Sequence, residues 1–365
     1  MWGLRIAISL ATGACLLAQT RARDLGVPFD GRPGALNGIT DVKGVEAGDS
    51  TLIRGENVRT GVTAVLPRGK DFSDPVFAGW FSLNGNGEMT GTTWIEESGF
   101  LEGPVMITNT SSVGVVRDAV IEHRVRHGNS GMQAFSLPVV AETWDGYLND
   151  AMGFHVKPQH AFEAIDSATA GAVKEGSVGG GTGMICHEFK GGIGTASRLS
   201  TGYTVGVLVQ CNYGQRSQLR VAGVPVGREI MEGAFRPQEL GSIIIVVATD
   251  APLLAHQLKR LARRAAMGLA RNGSSSGNGS GDIFVAFSTA NPGAARAEGV
   301  QKLQMLPNER MNGLFEATIQ ATEEAIINAM VASGTMTGRD GHKVVGMPHD
   351  KLRAVLKKYN RLVEK

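Results

Sequence analysis

Two serines of the chain follow a glycine and lead toward an apolar stretch, and this arrangement could support nucleophilic catalysis. They lie in Gly241-Ser242-Ile243 and in Gly279-Ser280-Gly281-Asp282. A serine at the head of a buried strand can attack its own preceding carbonyl, and glycine before it tolerates strained backbone. Hydrolysis of the resulting ester leaves a free α-amine with a reference pKa of about 7.7–8.0, which can act as base for its own hydroxyl. The same pattern also fits an ordinary turn before a strand, so the residues alone leave both interpretations open.

The sequence lacks the motifs of several other catalytic classes. It contains no phosphate-binding GxxxxGK[ST], no metalloprotease HExxH and no GxSxG nucleophile elbow. The glycine run at 179–183 does not match the dinucleotide-binding GxGxxG pattern after a strand. His187 and Glu188 lie near glycines without the spacing of metal ligands. We therefore expect neither a metal nor an organic cofactor.

The elements that must position these serines are predicted by short apolar runs and helical periodicity. The predicted strands are 61–66, 76–83, 104–108, 204–209, 242–248 and 282–287. The predicted helices are 118–127, 160–173, a long one opening near Pro252 and ending near 269, 314–332 and 348–363. Since strands and helices mix without regular βαβ alternation, the pattern favours a layered α+β fold.

Composition narrows the class of protein further. The chain has 365 residues with 50 glycines, about twice the usual share, and 42% hydrophobic residues. Without a G-X-Y period, that glycine content fits neither collagen nor a disordered chain. The formal net charge of +2 gives no electrostatic reason to expect nucleic acid as a partner.

The N-terminal residue pattern predicts a secretory signal over residues 1–22. Arg5 precedes an apolar run at 6–18 that is shorter than the roughly 20 residues of a membrane span. Thr20-Arg21-Ala22 fits a small-x-small cleavage site. We expect a periplasmic or secreted protein that does not contact a membrane after the signal is removed.

Two cysteines, Cys186 and Cys211, remain after the signal. An oxidising compartment permits a disulfide between them, but two free buried thiols are equally compatible with the sequence.

Segments spread over most of the chain resemble the DmpA/BapA family of β-peptidyl and L-/D-aminopeptidases. The matching segments are 33–42, 81–88, 107–110, 139–143, 179–184, 209–214, 241–244, 248–253 and 280–282. The resemblance implies an αββα four-layer sandwich similar to that of N-terminal-nucleophile hydrolases. It also implies a single catalytic domain, 23–365, that cuts itself into an α chain, 23–241, and a β chain, 242–365.

The resemblance assigns Ser242 as the nucleophile that heads the 124-residue β chain, with Gly241 on the other side of the cut. Ser280 matches a second catalytic serine. Asp282 matches an acidic residue that is glutamate in some relatives, and aspartate is one methylene shorter.

The same resemblance assigns three further residues to the site. Asn212 matches an asparagine that stabilises the oxyanion through its amide N–H. Glu142 matches a carboxylate that holds the free amino group of the substrate. Trp144 stands where some relatives have tyrosine, and an indole N–H can donate a hydrogen bond but cannot accept one.

Together these features predict an exported, self-processing serine aminopeptidase. Its substrates would be short peptides, amides or esters with an N-terminal β-alanyl, L-alanyl or D-alanyl residue, and relatives suggest a homotetramer. Two alternatives stay open at this stage: an acyltransferase of the ornithine acetyltransferase type, and an uncleaved binding protein on the same scaffold.

Overall fold

The computed structural model describes residues 19–70, 74–128, 136–235 and 241–364. Most of the predicted signal therefore lies outside the described residues. The strands are β1 (Glu46–Arg54), β2 (Val58–Lys70), β3 (Val76–Gly85), β4 (Phe100–Leu101), β5 (Val105–Asn109), β6 (Val139–Thr143), β7 (Ile185–Cys186), β8 (Phe189–Lys190), β9 (Gly192–Ser200), β10 (Tyr203–Asn212), β11 (Ser242–Thr249), β12 (Gly281–Ser288), β13 (Met336–Thr337) and β14 (Lys343–Val344). The helices are α1 (Thr92–Ser98), α2 (Val113–Arg126), α3 (Pro158–Asp166), α4 (Val226–Glu229), α5 (Ala255–Asn272), α6 (Asn312–Val331) and α7 (His349–Lys358).

The long strands form two sheets. One sheet has the order β1-β2-β5-β6, and the other has the order β4-β3-β12-β11-β10-β9. In the larger sheet β11 pairs with β10 antiparallel and with β12 parallel, so β11 has a hydrogen-bonded neighbour on each side and lies in the interior of the sheet. Among described residues the remaining strands make two short hairpins, β7-β8 and β13-β14.

The two sheets stack face to face, and helices cover both outer faces. Helices α2 and α3 share an apolar core with β2, β5 and β6. Side chains of both sheets meet in a central core, and α5 and α6 pack on the far face of the larger sheet. The predicted αββα sandwich is therefore confirmed.

The apolar run of β11 follows from its position in the middle layers. Ile243, Ile245 and Val247 belong to the core shared with the helices, and the alternate residues Ile244 and Val246 belong to the core between the sheets. A strand buried on both faces needs apolar residues at successive positions. The exceptions are its two end residues, Ser242 and Thr249.

Each predicted strand and helix falls on an observed element, but four helix boundaries were wrong. The helix predicted at 160–173 ends at Asp166, because Thr169 pairs its backbone with Ala47 of β1 instead. The C-terminal helix ends at Lys358, and the chain turns so that the Val363 N–H reaches the Gly26 carbonyl. Tertiary pairing overrides local helical preference at these two ends.

Two helices begin at other residues than predicted. The long helix begins at Ala255 rather than near Pro252, and the helix predicted at 118–127 begins five residues earlier, at Val113.

The last residues of the predicted signal are built into the fold. Arg21 makes a 2.8 Å ion pair with the buried Glu175. Ala22 is fully buried, and its N–H donates to Asn328 Oδ1 at 3.0 Å.

The structure also resolves the cysteine alternatives, because a disulfide joins Cys186 of β7 to Cys211 of β10. No helix within the described ranges has the length and apolarity that a membrane span requires.

The contact between α6 and β9 yields a first prediction. A Cβ at Gly194 would lie 1.9 Å from the Ala325 carbonyl oxygen of α6. We expect Gly194→Ala to lower the free energy of unfolding by more than about 2 kcal/mol, because helix and sheet must separate. Gly114→Ala is the matched control, since a Cβ there has nothing within 4 Å. Urea unfolding that gives both variants wild-type stability contradicts the predicted packing.

Candidate active site

Ser242 stands where the three central strands of the larger sheet converge. It is 6% exposed and is the first residue of β11. The antiparallel register places it directly opposite Asn212, the last residue of β10. The backbone N–H of Gly281, at the start of β12, donates to Ser242 Oγ at 3.0 Å. The hydroxyl is thus held at the sheet end by the neighbouring backbone.

Gly241 occupies a position that no other residue can take without rearrangement. Its φ is 134°, in the region that favours glycine. A Cβ there would lie 1.9 Å from the Asn212 carbonyl oxygen. No side chain of residue 241 therefore shields the peptide bond before Ser242, and Gly241 has a backbone conformation that other residues rarely adopt.

Ser280 and Asp282 form a hydrogen-bonded pair beside Ser242. Ser280 Oγ donates to Asp282 Oδ1 at 2.6 Å, so the shorter aspartate side chain reaches the hydroxyl. Both residues are buried. The Asp282 backbone N–H donates to Asn84 Oδ1 at 2.8 Å. Asn84 Nδ2 in turn donates to the carbonyl oxygens of Ser276 (2.9 Å) and Gly277 (3.1 Å), which fixes the loop leading into the pair.

Asn212 is buried, and two backbone groups orient its amide. Its Oδ1 accepts the Ile185 N–H at 2.8 Å, and its Nδ2 donates to the Trp144 carbonyl at 2.9 Å. An amide nitrogen carries two N–H bonds, so this geometry assigns the oxygen and nitrogen positions and leaves a second donor on Nδ2.

Glu142 is a buried carboxylate at the end of β6, where the smaller sheet faces the larger one. Its Oε1 accepts the Glu88 N–H at 2.9 Å, and its Oε2 accepts the hydroxyl of Thr110. Burial raises the pKa of Glu142, and these two hydrogen bonds act in the opposite direction. The loop residue Gly87 joins the two sheets here, since a Cβ on it would lie 3.3 Å from Glu142 Oε1 and 3.1 Å from the Gly281 Cα.

Trp144 lies at the rim, with 49% of the residue exposed. Its ring covers Gly146, where a Cβ would lie 2.5 Å from the indole. The contact to Asn212 uses the Trp144 carbonyl and leaves the indole outside that hydrogen bond.

All the residues that the sequence singled out for the site lie around the ends of β6, β10, β11 and β12. Sequence reasoning missed Asn84 and Thr110, which hold Asp282 and Glu142 in place. Both lie in segments that match the family, but the sequence assigned neither of them a role in the site. Within the described ranges no group of three or more histidine, cysteine or acidic side chains could hold a metal ion.

Comparisons with known proteins show which family and fold the chain shares. The sequence profile of peptidase family S58 matches residues 37–344. The chain is 55% identical to the β-peptidyl aminopeptidase BapA of Sphingosinicella microcystinivorans over 98% of this chain and 97% of that protein.

Two solved structures superpose on nearly the whole chain. One is the L-aminopeptidase D-Ala-esterase/amidase of Ochrobactrum anthropi, which is described as a prototype of the serine aminopeptidases and a new variant of the Ntn hydrolase fold. It superposes with a TM-score of 0.89 at 48% sequence identity, and the match covers 94% of this chain and 99% of that one. The other is a β-aminopeptidase of Burkholderia, which superposes with a TM-score of 0.88 at 47% sequence identity. The match covers 93% of this chain and 99% of that one. The expected likeness to N-terminal-nucleophile hydrolases is confirmed.

A second buried carboxylate, Asp145, lies directly behind the site. Its Oδ1 and Oδ2 accept the Asn109 amide at 3.2 and 3.1 Å, and no ion pair among described residues includes it. Burial raises its pKa from 3.8 to about 6. A raised carboxyl pKa stabilises the fold below pH 3.8, and this contribution is lost as the pH rises through 6.

We therefore expect wild type to gain stability relative to Asp145→Asn on acidification, because only wild type takes up a proton there. The difference in free energy of unfolding between the two proteins should change by up to about 3 kcal/mol between pH 7.5 and 4. Paired melting curves across this range test it, since other titrating groups are common to both proteins. Parallel curves contradict a raised Asp145 pKa.

Proposed function

The chain belongs to peptidase family S58 and is an aminopeptidase with the fold of N-terminal-nucleophile hydrolases, and from this premise we propose that Ser242 is its nucleophile. The observation that carries the proposal is the position of Ser242 at the head of a buried strand, opposite Asn212 and directly after Gly241. We propose that this serine first cuts its own chain and then releases the N-terminal residue of short peptides, amides or esters.

The self-cleavage step breaks the peptide bond before the nucleophile. Ser242 Oγ attacks the Gly241 carbonyl carbon and forms an ester as the Gly241–Ser242 C–N bond breaks. The hydroxyl proton passes to the departing nitrogen, which becomes the α-amine of Ser242. Water then hydrolyses the ester and leaves a carboxylate on Gly241. The glycine at position 241 supports this step, because a residue without a side chain leaves its carbonyl carbon open to the neighbouring hydroxyl.

Substrate hydrolysis repeats the same chemistry on another amide. The free α-amine of Ser242 accepts the proton from its own hydroxyl. The 2.6 Å pair of Ser280 and Asp282 supports a role in passing that proton on to the leaving amine. The second N–H of Asn212 Nδ2 is suited to the tetrahedral oxyanion, and removing one such donor elsewhere costs about 2.7–4 kcal/mol. Water completes the cycle by hydrolysing the acyl-enzyme.

Selectivity for an unblocked substrate is proposed to reside in Glu142. A carboxylate facing an ammonium forms a charge-assisted hydrogen bond that an acylated amine cannot make. The carboxylate is buried next to Gly87 and Gly281, on the same side of the sheet end as Ser242. This supports β-alanyl, L-alanyl or D-alanyl groups as the residues released, because each carries its amine one or two carbons from the scissile carbonyl.

We further propose that the chain is exported and loses its N-terminal signal. The Cys186–Cys211 disulfide is compatible with an oxidising compartment. The ion pair of Arg21 and the burial of Ala22 favour a cut before Gln19 over one after Ala22, since the later cut would leave Glu175 buried without its cation. The intact mass of the N-terminal chain distinguishes the two positions.

A homotetramer is the assembly that we propose from the family resemblance. Three large apolar side chains near the site rim support a contact with another subunit: Trp144, Met152 and Phe154 are 49%, 70% and 55% exposed. Light scattering of the native protein measures the assembly directly.

Ser242→Ala tests the nucleophile. We expect wild type to resolve by intact mass into two chains, the second being residues 242–365, and to release amine from a β-alanyl or alanyl amide. The variant should remain one chain and release none, because the attacking oxygen is gone. Ser280→Ala is the matched control and should still be cut at Gly241. A Ser242→Ala protein that splits and turns over contradicts the assignment, and an uncut wild type favours a binding protein.

Glu142→Gln tests the amine site. We expect kcat/KM for a free-amine substrate to fall about a hundredfold, because the charge-assisted pair is lost. Since burial raises the pKa of Glu142, the acid limb of the wild-type pH profile should lie above the ordinary carboxyl range and vanish in the variant. Glu88→Gln removes a neighbouring exposed carboxylate and should leave kcat/KM nearly unchanged. Because the Glu88 charge helps to raise the pKa of Glu142, this control should move the acid limb to lower pH without abolishing it. An unchanged kcat/KM in Glu142→Gln excludes this role.

A further inference from the structure

The hairpin between β7 and β8 has an unusual turn. Its two central residues, His187 and Glu188, both have positive φ, at 48° and 61°. Turns of this kind ordinarily use asparagine and glycine, because other side chains pay a steric penalty in the left-handed region. Two successive non-glycine residues hold this conformation only where their surroundings enforce it.

The buried side chain of Arg216 holds the turn in this conformation. Its guanidinium donates to the His187 carbonyl at 2.9 Å and to the Glu188 carbonyl at 2.7 Å. The group is fully buried and lies 3.2 Å above the ring centroid of Phe189. The same turn therefore presents both carbonyls to one cation.

The same two side chains also hold a third segment. Arg216 Nη1 donates to the carbonyls of Ile230 (2.9 Å) and Glu232 (2.8 Å). The Glu188 carboxylate accepts the backbone N–H of Arg216 at 2.8 Å through Oε1 and that of Phe235 through Oε2. Glu188 is 2% exposed, so both charges of this cluster, which we call the Glu188–Arg216 clamp, are committed to backbone groups inside the protein.

The segment held by the clamp ends at Phe235, and Gly241 follows six positions later in the sequence. The clamp also adjoins the other side of the site, because Ile185, at the start of the hairpin, orients Asn212. The Phe235 ring stacks on Tyr147 at 4.9 Å, three positions after Trp144.

We propose that Glu188 and Arg216 are positioning residues for self-cleavage, because they fasten residues 230–235, which precede the Gly241–Ser242 bond in the chain. This inference rests on the proposed function, since it requires the cut to fall at that bond. On the downstream side the bond is fixed by the pairing of β11 with β10, and the clamp supplies an anchorage on the upstream side. Attack of Ser242 Oγ on the Gly241 carbonyl requires the two groups to stay close, and anchorage on both sides limits how far they can separate. Once the bond is cut, hydrolysis of a substrate no longer needs the upstream anchor.

The test compares self-cleavage with turnover in Glu188→Gln. Pulse-labelled full-length chain made by cell-free translation is followed on a denaturing gel as it converts to two chains. We expect conversion to slow about tenfold or more, because one hydrogen bond to a charged group is lost. The fraction that has been cut should retain kcat/KM within about threefold of wild type on an alanyl amide, which a general structural defect would not allow.

Two sets of controls separate positioning from folding. Glu232→Gln makes the same chemical change on the held segment at an exposed side chain, and it should cleave at the wild-type rate. Phe235→Pro removes the N–H that Glu188 accepts but leaves the turn intact, whereas Phe235→Ala removes only the ring. Slow cleavage in the proline variant, relative to the alanine variant, reproduces the expected defect even if Glu188→Gln folds poorly.

The outcomes are distinct. Wild-type cleavage rates in both Glu188→Gln and Phe235→Pro overturn the clamp and leave the proposed function intact. An equal loss of cleavage and of kcat/KM in Glu188→Gln and in the proline variant also overturns it, because the role is then structural. A wild-type chain that never splits overturns both proposals.

Discussion

The register of three buried strands is the constraint on which the site depends. Strand β11 pairs with β10 so that Ser242 faces Asn212, and with β12 so that the Gly281 N–H reaches the serine hydroxyl. A shift of one residue would turn Ser242 to the opposite face of the sheet and bring an isoleucine to its place. Since residues 243–248 face apolar cores on both sides, their pattern alone does not oppose such a shift. The polar ends of β11 do, because Ser242 Oγ accepts the Gly281 N–H and the Thr249 hydroxyl donates to the Thr204 carbonyl.

Close approach of backbone segments is the second condition, and it explains part of the glycine content. Gly241 lies against the Asn212 carbonyl, and Gly87 lies between Glu142 and Gly281. At each position a side chain would separate groups that the chemistry requires within a few ångströms. The same rule applies away from the site at Gly194, where α6 rests on β9. These glycines therefore bring layers together rather than supply flexibility.

Buried charged groups around the site are hydrogen-bonded chiefly to backbone groups and hydroxyls. Glu142 is satisfied by a backbone N–H and a hydroxyl, and the Glu188–Arg216 clamp binds chiefly backbone groups. Leaving such groups unpaired would cost several kcal/mol, so each one fixes the conformation of the segments that it contacts. These contacts therefore hold the ends of β6 and β10 and residues 230–235 in place.

The sequence by itself determined the layered α+β class, the positions of the main strands and the residues Ser242, Ser280, Asp282, Asn212 and Glu142, through apolar runs and matching motifs. These signals are local, because periodicity and turn residues are read over a few neighbours. Only the tertiary structure decided that Asn84 holds Asp282, that Thr110 holds Glu142 and that the helix predicted at 160–173 stops at Asp166. It also decided that His187 and Glu188, set aside as unrelated to a metal site, form a strained turn closed by Arg216. Such contacts join residues far apart in the chain, and their geometry follows from how the two sheets and the helices pack, which no short stretch of sequence encodes.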